Sequence, residues 1–178
     1  MTKDIHRVIK NFGYLVLTKG IDFILPLVLW PFLIKALGIE TFGILSFVLA
    51  VSLYFGAFMQ YGFNITAVRD VARVRGDRFK LSRICMSYFF EALVLAAVAS
   101  LGYSLLFFLD AVAEHTLLYM ACFVLCLSQS IMPLWFFQGI ERMEFVALTN
   151  TIIKISYVVS ILLVVDEPSE VYLVPLIQ

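Results

Sequence analysis

YGFNITAVRDVARVRGDRFKLSR, residues 61–83, sets a basic segment between two long apolar runs. It carries Arg69, Arg73, Arg75, Arg78, Lys80 and Arg83 against only Asp70 and Asp77, the strongest charge bias in a chain whose formal net charge is zero. Lys and Arg close to the ends of hydrophobic helices resist translocation, so a short loop this basic stays on the cytoplasmic side. Its position orients the rest of the chain.

Outward from that loop the sequence is apolar. Of 178 residues 62% are hydrophobic and 15% charged, and the mean hydropathy is +0.99, whereas soluble domains are nearer half apolar and a quarter charged. These values give an all-α, polytopic transmembrane bundle. A neutral chain offers no field for nucleic acid, and the basic residues are explained by topology. Cys85, Cys122 and Cys126 lie in or beside apolar runs and lack the paired spacing and His partners of a zinc site. No metal and no cofactor is expected.

Taken in order, residues 1–10 are short and basic, with Lys3, Arg7 and Lys10 against Asp4, and suit an interfacial helix on the cytoplasmic face. A first span over residues 11–37 exceeds the roughly 20 residues that cross the hydrocarbon core. It is too long for a signal-peptide core and has no small-residue cleavage site. Pro26 and Pro31 predict a bend in it. Gly38 should end it, with a tight turn at Ile39-Glu40. A second span, residues 41–66, returns with Gln60 and Asn64 near its inner end. The third, 84–109, is interrupted only by Glu91 and followed by Asp110, Glu114 and His115. The fourth, 116–138, carries Ser128, Gln129, Ser130 and Pro133, and the fifth, 145–165, Asn150 and Lys154. Asp166, Glu167, Pro168 and Glu170 make an acidic outer turn before a sixth segment that begins at Val171.

The expectation is thus one integral membrane domain over 1–178, with five complete spans, the start of a sixth and the N-terminus inside. The outer loops hold only Lys35, while Arg142 joins the basic residues on the inner side. About eight residues cannot span a bilayer, so the chain reads as the front part of a longer protein.

Ionisable residues inside a membrane are expensive and by default line a bundle interior or an aqueous cavity. Lys19 and Asp22 lie in the first span, Glu91 in the third and Lys154 in the fifth. At 1.5 Å per residue, Lys19, Glu91 and Lys154 fall roughly 10 to 12 Å from the cytoplasmic helix ends and Asp22 about 15 Å. That depth predicts a polar cavity open to the cytoplasm, in which two lysines hold an anionic group such as a pyrophosphate. Asp22 or Glu91 could exchange a coupling ion, desolvation raising and a nearby Lys lowering its pKa. The plainer reading makes Lys19 with Asp22 and Glu91 with Lys154 structural pairs. Gln60, Asn64, Ser128, Gln129 and Ser130 could bond sugar hydroxyls or bridge helices.

Three segments carry a family resemblance: NFGYLVLTKGIDFILPLVLWPFLIKALGIETFGIL at the start, YGFNITAVRDVA after the second span and WFFQGIERMEF after the fourth. In this order they resemble Wzx-type flippases, polysaccharide-biosynthesis members of the multidrug/oligosaccharidyl-lipid/polysaccharide exporter superfamily, along the whole chain. The resemblance implies the N-terminal lobe of a two-lobe, alternating-access transporter of the bacterial inner membrane. Such a protein moves undecaprenyl-pyrophosphate-linked oligosaccharide, O-antigen-type repeat units above all, from the cytoplasmic to the periplasmic leaflet. The family's cationic cavity maps onto Lys19 and Lys154, with Arg69 and Arg142 at its cytoplasmic mouth. Implied partners are the lipid-linked oligosaccharide, membrane lipids, H+ or Na+, and other polysaccharide-assembly membrane proteins.

Other classes fit less well. A multidrug or cation antiporter would favour intramembrane carboxylates over lysines, and here two of each occur. A membrane-bound polymerase or acyltransferase needs positioned acids, bases or nucleophiles. The two histidines, His6 and His115, lie outside the spans, every loop is short, and no catalytic residue is assigned. Buried charges argue against a purely structural bundle.

Overall fold

A computed structural model describes the backbone of residues 2–141, 143–165 and 167–177, with side chains except those of residues 2–12, 14, 15, 17–19, 22, 111 and 143–146. Every regular element among the described residues is helical. They are α1 (Thr2–Gln60), α2 (Phe63–Val74), α3 (Arg78–Ser104), α4 (Asp110–Ala113), α5 (Thr116–Ile131), α6 (Leu134–Gly139), α7 (Met143–Val164) and α8 (Leu173–Ile177), with single 3-10 turns at Leu105–Phe108 and Pro168–Glu170. Among the described residues four stretches are long and apolar enough to cross a membrane: Phe23–Val74, Arg78–Phe108, Thr116–Gly139 and Ala147–Val164. Large apolar side chains such as Phe23, Leu101, Phe108 and Leu163 are exposed on them, as lipid-facing positions require. The chain is a multi-pass membrane protein.

The first stretch is two arms rather than one rod. Helical backbone runs through Pro26 and Pro31 and is broken at Gly38, whose φ of 80° and ψ of 160° suit a residue without a Cβ. The expected Ile39-Glu40 turn is therefore narrower than anticipated: Gly38 alone breaks the helix. Leu29, Leu33 and Leu37 of one arm meet Leu45 and Val48 of the other in the main core, with Tyr103, Leu118, Tyr119, Cys122, Ile161 and Val165.

The basic loop between the second and third spans is also corrected. Residues 63–74 form α2, because Phe63, Ala67 and Val71 recur every four residues on one buried face while Arg69 and Arg73 point outward. Tyr61 (φ 34°) and Gly62 (φ 78°) make the corner between α1 and α2, so α1 ends at Gln60, six residues before the expected end at residue 66. Asp77 caps α3, which begins at Arg78, six residues before the expected Ile84, its carboxylate accepting from the backbone N–H of Phe79 and Lys80 at 3.1 and 3.2 Å. The added turns hold Arg78, Lys80 and Arg83. Glu91 and Lys154 nonetheless lie farther from their helix starts than the sequence estimate, about 20 and 16 Å at 1.5 Å per residue.

The fourth span divides at Met132-Pro133 into α5 and α6. Proline cannot donate to the helix, and Met132 is extended ahead of it, with ψ 119°. Between α1, α3 and α5 the small residues Ala96 and Ala99 sit against Met59 and Cys126. Tyr103 there donates its hydroxyl proton to the Tyr119 carbonyl oxygen at 2.9 Å. With that proton committed, the 3.0 Å contact to Ser52 has the buried serine as donor.

Candidate functional site

Two cavities lie in file along one face of α1. Ser46, Leu49, Ala50, Leu53, Gly56, Ala57 and Gln60 repeat at helical spacing, the first four lining one cavity and the last four the other, with Leu53 common to both.

The larger, of ≈ 640 Å³, lies between the two arms of α1 and is closed by α7 and α8. Leu25, Leu29 and Leu33 face Phe42, Leu45 and Leu49 across it, while Lys154 and Tyr157 of α7 reach its wall. The expected cavity is polar, and the wall of this one is mostly apolar. Apart from Ser46, Tyr157 and Lys154 its wall is aliphatic and aromatic, and the Ser46 hydroxyl donates to the Phe42 carbonyl at 2.8 Å. The arrangement is a cation beside a hydrophobic groove, which suits an anionic head attached to a lipid. One turn before Lys154 on α7, the Thr151 hydroxyl is buried without a hydrogen-bond partner among the described residues.

Of the other residues singled out from the sequence, Arg69 lies on α2, outside both cavities, with its Nε 3.2 Å from Asp70 Oδ1. Glu91 is exposed on α3, lines neither cavity, and accepts from Ser87 Oγ at 3.4 Å. Among the described residues no Glu91–Lys154 bond replaces that contact. Arg142 and the side chains of Lys19 and Asp22 lie outside the described residues, and so do their assigned roles.

The smaller cavity, of ≈ 190 Å³, is walled by α1 and by Cys126, Gln129 and Ser130 of α5. Of the polar residues named from the sequence as sugar contacts or helix bridges, Gln60, Asn64, Ser128 and Ser130 make local bonds. Asn64 Nδ2 donates to Gln60 Oε1 at 3.0 Å across the Tyr61–Gly62 corner. Ser128 and Ser130 donate to the Leu125 and Cys126 carbonyls of their own helix, each at 2.7 Å.

At the same end of the bundle α2 is clamped onto α6. Phe63, Ala67 and Val71 bury against Trp135, whose ring also meets Tyr88 at 5.6 Å. Tyr88 donates to Asp70 Oδ2 at 2.9 Å, and Arg75 pairs with Glu141. A Cβ on Gly139 would lie 2.5 Å from Val71 Cγ1 and 2.7 Å from Val71 Cβ. The two sequence segments YGFNITAVRDVA and WFFQGIERMEF are thus two sides of one contact. Sequence reasoning treated them as separate motifs and missed Gly139, Glu141, Ser52 and Tyr103. A glycine beside an aromatic run was the available signal for a close helix approach.

The model of the family described as polysaccharide biosynthesis protein matches residues 8–178. An Escherichia coli K12 protein named "Putative O-antigen transporter" is 28% identical over 170 residues, covering 95% of this chain and 41% of the relative. A Shigella dysenteriae protein of the same name is 26% identical over 165 residues, covering 91% of this chain and 41% of its own length. The chain therefore spans about two fifths of the curated relatives it matches. No solved structure matches it. Both relatives are named transporters, not enzymes. With the family match covering nearly all of its length, the chain belongs to the polysaccharide biosynthesis protein family.

Proposed function

We propose that the chain is part of a flippase that carries undecaprenyl-pyrophosphate-linked, O-antigen-type repeat units from the cytoplasmic to the periplasmic leaflet of the bacterial inner membrane. The observation that carries this reading is Lys154 on the wall of a mostly apolar cavity. A lysine ammonium binds a phosphate as a point charge, and the groove beside it accepts the lipid. The family membership and the relatives' names support the same substrate class.

In this reading the two arms of α1 count as separate spans, which gives five complete spans and the start of a sixth in the first of two lobes. The basic corner at α2 and α3 faces the cytoplasm with the N-terminus. Lys19 and Lys154 hold the pyrophosphate, and Arg69 and Arg142 attract it at the mouth. Asp22 and Glu91 are the candidates for H+ or Na+ coupling, and the lobes rock about the loaded site by alternating access.

The test deletes the gene and restores it in its full reading frame, either unchanged or with Lys154→Ala, and assays surface glycan and the leaflet that holds lipid-linked repeats. Deletion should strip surface glycan and leave an inner-leaflet backlog. Lys154→Ala should restore transport poorly, about 10- to 100-fold below wild type if one charge-assisted phosphate contact is lost, and Lys154→Arg better. If deletion changes neither readout, the reading fails. If Asp22→Asn and Glu91→Gln keep the pH and ion dependence of transport, coupling runs through other groups.

A further inference from the structure

We infer that the smaller cavity, between Gln60 on α1 and Gln129 on α5, is a subsite for the first sugar of the lipid-linked unit. This rests on the flippase reading above and assigns it a recognition site.

The lipid-and-phosphate cavity and the smaller one share Leu53 and continue along a single face of α1. From Leu53 to Gln60 is seven residues, about 10 Å along the helix. A ligand whose charged head sits at Lys154 therefore meets the smaller cavity next.

The chemistry of the wall then selects the class of ligand. Asn64 occupies Gln60 Oε1 and leaves the Gln60 amide N–H groups to donate. The Ser130 hydroxyl proton is committed to the Cys126 carbonyl, which leaves its oxygen to accept. Gln129 lines the cavity as an exposed side chain with no hydrogen-bond partner among the described residues, so its carboxamide offers both a donor and an acceptor. A phosphate calls for donors and positive charge, a metal cation for oxygen ligands with negative charge, and a polyprenyl chain for neither. A mixed, uncharged set matches hydroxyl groups, each of which donates and accepts. Gly56 and Ala57 put a small, flat apolar patch beside these groups, suited to the C–H face of a pyranose. At ≈ 190 Å³ the half-open space would hold about six waters, room for one sugar ring.

An amide left unpartnered in an apolar helix is costly in a membrane, and bridging would satisfy it most simply. Yet Gln60 and Gln129 line one cavity without bonding each other. A ligand between them completes both.

The experiment uses the full-length protein in proteoliposomes and two probes, polyprenyl pyrophosphate and the same lipid carrying its first sugar. Wild type should bind the sugar-bearing lipid more tightly. Gln129→Leu and Gln60→Leu should each weaken that binding about tenfold and leave the bare lipid unchanged, which also reports a correctly folded protein. Ala57→Leu, which fills the cavity, should act in the same direction. Equal losses for both lipids, or none for either, would overturn the subsite and assign the amides to helix packing. Wild-type binding without preference for the sugar would overturn the subsite and leave the flippase reading standing. Binding of neither lipid by wild type would end both.

Discussion

Gly139→Ala separates the contact at the α2–α6 junction from ordinary helix propensity. In a helix interior this exchange stabilises by about 1 kcal/mol. Gly139 is the last residue of α6, where the gain is smaller. Against it stands the new methyl group, 2.5 Å from Val71 Cγ1, 2.7 Å from Val71 Cβ and 3.2 Å from the Val68 carbonyl oxygen. Carbon atoms pack at about 3.5 to 4.0 Å, so α2 must lift by roughly 1 Å. A rotamer change cannot relieve this, because Cβ is fixed by the backbone and valine is stiff at χ1.

Lifting α2 opens the cluster of Phe63, Ala67, Val71 and Trp135 and pulls Arg75 from Glu141. Overpacking of this kind costs about 1 to 3 kcal/mol. The shift is about 2 to 4 °C per kcal/mol at 150–250 residues and roughly half that in a protein of the relatives' length, so the midpoint of thermal unfolding should fall by about 1 to 6 °C. The assay is thermal unfolding of the purified full-length protein in detergent, with limited trypsinolysis at Arg69, Arg73 and Arg75 reporting α2 undocking. Val71→Ala removes one of the two closest atoms and leaves the other, so the double variant should recover part of the loss, a coupling of about 1 kcal/mol. A Gly139→Ala protein as stable as wild type, with unchanged proteolysis, would refute the close approach.

Three further outcomes follow from the same geometry. Arg75→Gln or Glu141→Gln should cost only about 0.2 to 1 kcal/mol, since the pair is half exposed. High salt should shrink that difference, and exchanging the two residues should partly restore it, all read from unfolding midpoints. Tyr103→Phe should destabilise by about 1 to 3 kcal/mol, because it removes the bonds to Tyr119 and Ser52, each worth about 0.6 to 1.7 kcal/mol in a membrane bundle. Ser52→Ala should cost less, since it removes only one of them. Asp77→Ala should lower stability at neutral pH. The Lys80 backbone N–H, the Lys80 ammonium and the Phe79 N–H hold the Asp77 carboxyl below its ordinary value. Its contribution is fully present above the unfolded pKa of about 3.9 and is lost as pH falls through the lower folded value. The gap between wild-type and Asp77→Ala midpoints should therefore close under strongly acid conditions.

How far the sequence could be read depended on the range of the interaction. Helical periodicity, Gly38 and the apolar runs are local signals, and they placed most helix ends to within about six residues. The basic segment misled because charge density was taken for a loop, although Phe63, Ala67 and Val71 at four-residue spacing already describe an amphipathic helix. Gly139 against Val71, Tyr103 against Ser52 and Arg75 against Glu141 join positions 68, 51 and 66 residues apart. No pattern within a single helix encodes such pairs.

The site divides the same way. Lys154 was visible because a cation within an apolar run is conspicuous, while the apolar character of its cavity became visible only when the two arms of α1 faced each other. Gln60 and Gln129 stood 69 positions apart as two unremarkable amides. Packing α1 against α5 brings them to one cavity beside the lysine groove, so the charged groove and the amide-lined pocket follow from a single helix face. A substitution that rotates that face, rather than one that removes a single polar group, should impair both cavities together.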